Sequence, residues 1–542
     1  MTIDRFLRLF DFLSVILRGA TLTFQTLTIG GIAFLIFVLK SHQAEADPLR
    51  KRCRRWILWS AVALVATQAV FLSANLFILT STTGLSLGDA LGANMVLASS
   101  LSIAGALGIV ALSCGDRWQG SPWMILPAML LLVSTVLTSH SVARLDDRLP
   151  LAVLTGLHQG ATGLWIGGLP FLLLVLFGAR AAGLMRETSQ RFSKLAMVSV
   201  FFLAAAGLGL AVVYTGSWSG LYGTAYGAMV AGKVVLFAFL LVLGALNFFG
   251  VRATQADDAG CLRRVRCFGE AEIGIGITVL LAAASLTSQP PATDLTVDRL
   301  TGTEIAARMA PRWPRFTSPT IHELTDTVLA AQLGASAPTP ETAAATAKAA
   351  QELDIAWSEY NHHWAGLVVL IMGLLAFLAR TNHFPLARNW PLIFIGLAVF
   401  LFFRADPEAW PLGPRGFWES WLNPEDLQHR LFVVLIVAFA IFEWKVQTHR
   451  VARQGPTLVF PLVCALAGAA LLAHSHSLAN IKEELLAELS HLPIALLGVL
   501  AGWSRWLEIR LPHGDRVKPI LSWIWPVCFI LVGAILLNYR EA

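Results

Sequence analysis

Imidazole is the side chain in this sequence best suited to hold a transition metal or a haem iron near neutral pH, and thirteen histidines are present. His42, His383, His449 and His513 fall beside basic loops. The other nine, His140, His158, His322, His362, His363, His429, His474, His476 and His491, fall on the opposite side of the expected topology, and all but the loop residue His322 sit at or just inside the ends of apolar segments. His140 closes one apolar run and His158 opens the next, with only the polar loop Ala143–Pro150 between them. Two antiparallel helices therefore carry both rings to one membrane face, within joint reach of one ion or on either side of one haem. A single histidine at a helix end is an inexpensive interfacial residue; a facing pair is the arrangement that binds.

The stretch HSHSLANIKEELLAELSHLPIALLGVLAGW (474–503) can be laid on 138–168, with His476 on His140 and His491 on His158. This weak repeat predicts a second site at the same face, built from His476 and His491 with His363 or His429 as further ligands. His363 is preferred to His362 because it lies deeper, beside the small residues Ala365 and Gly366. His474 is two residues from His476, so the side chains diverge by about 200° on a helix and His474 is expected to support rather than bind. Arg430, beside His429, suits a carboxylate or a haem propionate. Lys233 and Glu272 lie inside apolar segments, where ionisable residues line paths or pair with partners. Gly156, Gly160, Gly163, Gly167 and Gly168 make one face of the fifth segment small, which permits close helix packing or the approach of a flat cofactor.

The elements that position these residues follow from composition. Of 542 residues, 56% are hydrophobic and only 14% charged. Apolar runs near bilayer-crossing length recur throughout, so the expectation is an all-α polytopic membrane protein. We read about fourteen spans, at 12–39, 57–79, 90–112, 122–140, 151–178, 195–216, 226–250, 270–288, 361–380, 390–403, 429–446, 457–474, 492–510 and 520–538. Basic residues collect in alternate short loops, 24 against eight on the other side. The positive-inside pattern thus predicts N- and C-termini outside the cytoplasm, and the net charge of +6 gives no reason to expect a nucleic-acid partner. The first segment is expected to be a retained span rather than a signal peptide. Cys53, Cys114, Cys261 and Cys267 fall beside cytoplasmic loops and Cys464 and Cys528 inside spans, so no disulfide is expected. Three regions result: an eight-helix membrane domain at 1–288, an extracytoplasmic loop at 289–360 and a six-helix membrane domain at 361–542. The sequence carries no signal for oligomeric state.

His158 with WIGGL (165–169), RFSKLA (191–196), Tyr214-Thr215-Gly216, Thr224, Tyr226-Gly227, Lys233, Asn247, Glu272 and the exit at Pro290-Pro291 together resemble the copper resistance protein D family of bacterial inner-membrane proteins. The resemblance covers about 120–290. NHHWAG (361–366), DPEAWPLG (406–413), QHR (428–430) and 474–503 look like the extension of a long form. The resemblance implies a copper uptake or homeostasis protein of the inner membrane, working beside a periplasmic copper-binding partner.

Three functions are compatible with these residues: copper capture by histidine and passage inward, electron transfer by a b-type haem cytochrome with two histidine ligands, or a structural or assembly subunit whose histidines are interfacial. Copper(I) pathways favour sulfur ligands, yet the chain has only nine methionines and no cysteine on the outer side, which weakens a simple copper-transporter reading; imidazole suits copper(II), copper(I) in low coordination or haem iron. No catalytic signature is present. Transport or metal binding is expected rather than an enzyme, with redox activity only if haem is bound.

Overall fold

The computed structural model of the chain describes all residues except 1–2, 40–45, 85, 115–121, 145, 254–258, 298, 320–339, 382, 407, 452–453, 474–480, 513 and 542. Among the described residues the chain is helical and contains no strand. Apolar runs of this length have no water in a bilayer to satisfy the backbone, and helices satisfy it internally. Each of the fourteen expected segments coincides with a helix. Twelve helices among the described residues are long and apolar enough to cross a membrane, so the chain is a polytopic membrane protein. Of the two other expected segments, Ile125–Leu137 is a shorter apolar helix of 13 residues, and Pro424–Gln447 is a 24-residue helix whose apolar run Leu431–Phe442 lies between Arg430 and Glu443.

The chain forms two compact units. The first contains Met1–Leu300, Ala469–Ile481 and Arg510–His513; the second contains Thr301–Gly468, Lys482–Ile509 and Gly514–Ala542. In the first, helix α1 (Ile3–Ala33) packs against α2 (Ala46–Thr83), α5 (Arg148–Trp165) and α9 (Ala259–Leu286), while α3 (Asn94–Cys114) and α4 (Ile125–Leu137) pair with each other. Helix α5 stops where the Ile166 and Gly167 N–H groups both reach the Thr162 carbonyl, and α6 (Leu169–Gly178) restarts with Pro170 in its first turn. Proline there has no N–H to extend α5. The small face of α5 is used for packing: a Cβ on Gly167 would lie 1.9 Å from the Thr26 carbonyl oxygen, and one on Gly30 2.1 Å from the Gly167 carbonyl carbon. Helices α7 (Ala182–Thr215) and α8 (Ala225–Ala253) complete this unit's long elements.

The second unit is built on α10 (Pro340–Arg380), α11 (Ile393–Arg404), α12 (Pro424–Gln447), the part of α13 (Val459–Ala473) up to Gly468, α14 (Ile481–Arg510) from Lys482 to Ile509, and α15 (Lys518–Leu537). Glycine brings α10 and α15 into backbone contact, since a Cβ on Gly366, Gly373 or Gly533 would lie 2.7, 2.7 or 2.5 Å from the amide nitrogen of Leu537, Ile530 or Leu370. Trp390, Phe460, Trp525 and Met372 fill its core, and the Arg380 guanidinium bonds Glu508 at 2.6 Å while the Trp525 indole donates to the same carboxylate at 3.2 Å.

Candidate functional site

The best-built site in the first unit is a cup of three rings. Helix α7 ends at Tyr214-Thr215, and Gly216 turns the chain with φ of 66°, a left-handed conformation that glycine adopts without strain. The Thr224 hydroxyl donates to the Gly220 carbonyl at 2.7 Å and accepts the Gly227 N–H at 3.0 Å, so TGSWSGLYGTAYG folds into a compact turn. That turn sets Tyr226 opposite Tyr214, ring centres 6.5 Å apart. His140 arrives just past the end of α4 and closes the cup, 6.1 Å from Tyr214 and 6.4 Å from Tyr226. Its Nε2 is buried with no hydrogen-bond partner among the described residues. Such an orphaned polar atom costs about 1–3 kcal/mol, which a bound cation with an empty coordination position recovers. Arg18 is fixed nearby on the Thr138 carbonyl at 3.1 Å, and Arg144 on Thr293 and Asp294, both at 3.2 Å.

Burial, and then the charge of Arg18, hold the His140 imidazole below its ordinary pKa. A lowered value keeps Nε2 unprotonated further into acid, so protons compete with a metal only at low pH. Copper occupancy of the purified protein, followed as pH falls from about 7.5 to 5, should therefore drop with a midpoint below the ordinary histidine value of about 6.5. A midpoint at or above that value contradicts this account of the cup.

His158 lies ten residues beyond Arg148, about 15 Å along the α5 axis. Its Nδ1 bonds the Leu203 carbonyl at 3.2 Å, and Gly207 makes room for the ring, since a Cβ there would lie 3.0 Å from Cε1. His140 and His158 thus face different neighbours, two tyrosine rings in one case and the α7 backbone in the other; a shared ion or haem requires both to turn toward one gap. Lys233 stands beside His158 and has no ion pair among the described residues. Glu272, 2% exposed, accepts hydrogen bonds from the Asn247 amide and the Trp165 indole. A cavity of about 220 Å³ lined by Phe177, Arg263, Arg266 and Cys267 lies at the arginine-rich end of this unit.

In the second unit the histidines are spread over different partners. His363 is 5% exposed with both ring nitrogens taken: Nδ1 accepts the Arg315 N–H at 2.7 Å and Nε2–H donates to the Tyr539 carbonyl at 2.9 Å. His429 Nδ1 donates to Asp406 at 2.6 Å, and Arg430 is spent on the Phe402 and Trp410 carbonyls. His491 donates from Nδ1 to the Ala487 carbonyl at 2.9 Å and lies edge-on to Tyr539. His322, His474 and His476 lie outside the described residues. Among the described residues no three His, Cys, Asp or Glu side chains already surround one point.

The family model of copper resistance protein D matches residues 186–286. This segment is thus similar to the copper resistance protein D family. Tyr214, Tyr226, Lys233, Asn247 and Glu272 all fall within the match, and His140 and His158 pack onto it from outside. The chain is also 28% identical over 300 residues to the copper transport protein CutJ of Bacillus subtilis (strain 168); the match covers 50% of this chain and 52% of that protein, so the chain spans about half the length of this relative. No solved structure matches. The copper resistance protein D region supplies two tyrosines that histidine counting does not select. Their signal in the sequence is positional, since each borders the glycine-rich turn at the end where His140 lies.

Proposed function

We propose that the protein carries copper across the bacterial inner membrane, capturing it at the periplasmic face and passing it inward. His140 is the entry ligand, through Nε2, with the Tyr214 and Tyr226 rings shielding the ion from water and lipid. His158 with Lys233, and then Glu272 with Asn247, are stations at successive depths. A cation beside Lys233 meets a repulsion of several kcal/mol in a medium of low dielectric, so its passage is linked to a proton leaving that lysine. The basic loops face the cytoplasm, the histidine ends face the periplasm, and a soluble periplasmic copper-binding protein delivers the ion.

The observation that carries this reading is the buried, unpartnered Nε2 of His140 in a cup whose tyrosines come from the copper resistance protein D region. The copper transport described for the Bacillus relative supports it. Proteoliposomes containing the full chain and an enclosed copper-sensitive dye should show copper entry above that of empty vesicles. The purified protein should carry copper without a Soret band. A Soret band with no copper entry would establish the haem reading in its place.

A further inference from the structure

Backbone contact between Gly533 on α15 and Leu370 on α10 carries the residues after α15 over the first turns of the apolar part of α10. Several bonds hold that tail: Arg312 N–H donates to Asn538 Oδ1 at 3.3 Å, Asn538 donates to the Met309 carbonyl at 3.3 Å, and His363 donates to the Tyr539 carbonyl. As a result the Tyr539 ring stacks on His362, ring centres 3.8 Å apart and planes at 20°, with His491 edge-on at 5.9 Å. The Tyr539 hydroxyl donates to Glu541 Oε2 at 2.8 Å, and the Ser358 hydroxyl donates to the same oxygen. Ser358 is also one turn before His362 and lies 3.3 Å from its Nδ1.

Two imidazoles, a carboxylate and a phenol therefore converge at one end of the second unit. The Nδ1–H of His362 donates to the Ser358 carbonyl at 2.8 Å and that of His491 to the Ala487 carbonyl at 2.9 Å. Each bond fixes the tautomer in which Nε2 bears the lone pair, the arrangement by which backbone carbonyls orient metal-binding histidines. The Ser358 and Tyr539 hydroxyls both donate to Glu541 Oε2, so the carboxylate presents its lone pairs to this cluster.

We propose that His362, His491 and Glu541 form a site for a divalent transition-metal ion, copper(II) or zinc, with Tyr539 covering it. The hydroxyls of Ser358 and Tyr539 occupy the carboxylate in the present arrangement. The ion closes the site by drawing Glu541 from them and turning the Nε2 atoms inward, which releases the Nδ1–H bonds to the Ser358 and Ala487 carbonyls. The ligand set of two nitrogens and an oxygen suits both ions. It differs from the second site expected from the sequence in using His362 in place of His363, whose nitrogens are already engaged.

The test uses the full chain in detergent, stripped of metal, in a His140→Ala background so that metal in the first unit is not counted. Copper(II) and zinc are titrated separately by calorimetry, and copper(II) also by electron paramagnetic resonance. The parent should bind either ion, with superhyperfine coupling to two nitrogens for copper(II). His362→Ala and His491→Ala should each weaken binding at least tenfold and leave one coupled nitrogen, and Glu541→Gln should weaken it similarly with the nitrogens retained. Because Glu541→Gln keeps the shape and an acceptor oxygen, it decides the matter should the alanine variants fail to fold. Binding unchanged in Glu541→Gln and in folded His362→Ala overturns the proposal, as does a parent that binds neither ion. Either outcome leaves copper entry through the first unit untouched.

Discussion

Replacing His140 with alanine should lower copper entry into proteoliposomes by tenfold or more while leaving the protein folded. On the proposed reading the imidazole is the cup's nitrogen ligand, and the flanking rings offer at most phenol oxygens, which bind copper weakly unless ionised. Stability should change little, because the same substitution removes a buried nitrogen that has no partner, and that gain of about 1–3 kcal/mol offsets part of the lost packing. Tyr214→Phe is the companion variant: it keeps the ring and should retain most of the transport. Copper entry unchanged in His140→Ala, with an unchanged melting temperature, removes the cup from the pathway and leaves the deeper groups as the place to look. His158→Ala then becomes informative, because His158 reaches the α7 backbone and Lys233 and is independent of the cup.

Much of the scaffold is written in hydropathy, because a bilayer leaves the backbone few alternatives to a helix. The apolar runs accordingly fall on helices, and the one of them that is too short is 125–137, at 13 residues. Histidine position along a helix is equally readable, but the direction a ring faces and what it bonds are not. Depth along the helix favours His363 over His362, and in the structure the two nitrogens of His363 meet the Arg315 and Tyr539 backbone groups. Those partners lie 48 and 176 residues away, beyond any local pattern. His140 and His158 are 18 positions apart in sequence and border a single loop, yet α5 carries His158 well below its own start. Residues such as Tyr539 and Glu541 become chemically relevant only because glycines on α10 and α15 let two backbones touch.

The same glycine logic yields the largest expected effect on stability. Gly167→Ala should destabilise the protein by on the order of 3 kcal/mol, the upper range for forcing atoms into a packed interior, and should lower its melting temperature in detergent well below that of the parent. The added Cβ would fall 1.9 Å from the Thr26 carbonyl oxygen and 2.5 Å from that of Gly163. Both are backbone atoms of helices, so neither can rotate aside as a side-chain tip would. Relief requires α1 and α5 to separate, and Gly30 fixes the same contact from the α1 side. Separation opens the packing that holds α5, and with it His158, against the copper resistance protein D region, so transport should fall together with stability. Gly183→Ala provides the control: nothing lies within 4 Å of a Cβ there and the residue is in the first turn of α7, where alanine is the better helix former. Equal melting temperatures for the two variants would show that the contact between α1 and α5 yields more easily than backbone-to-backbone packing allows.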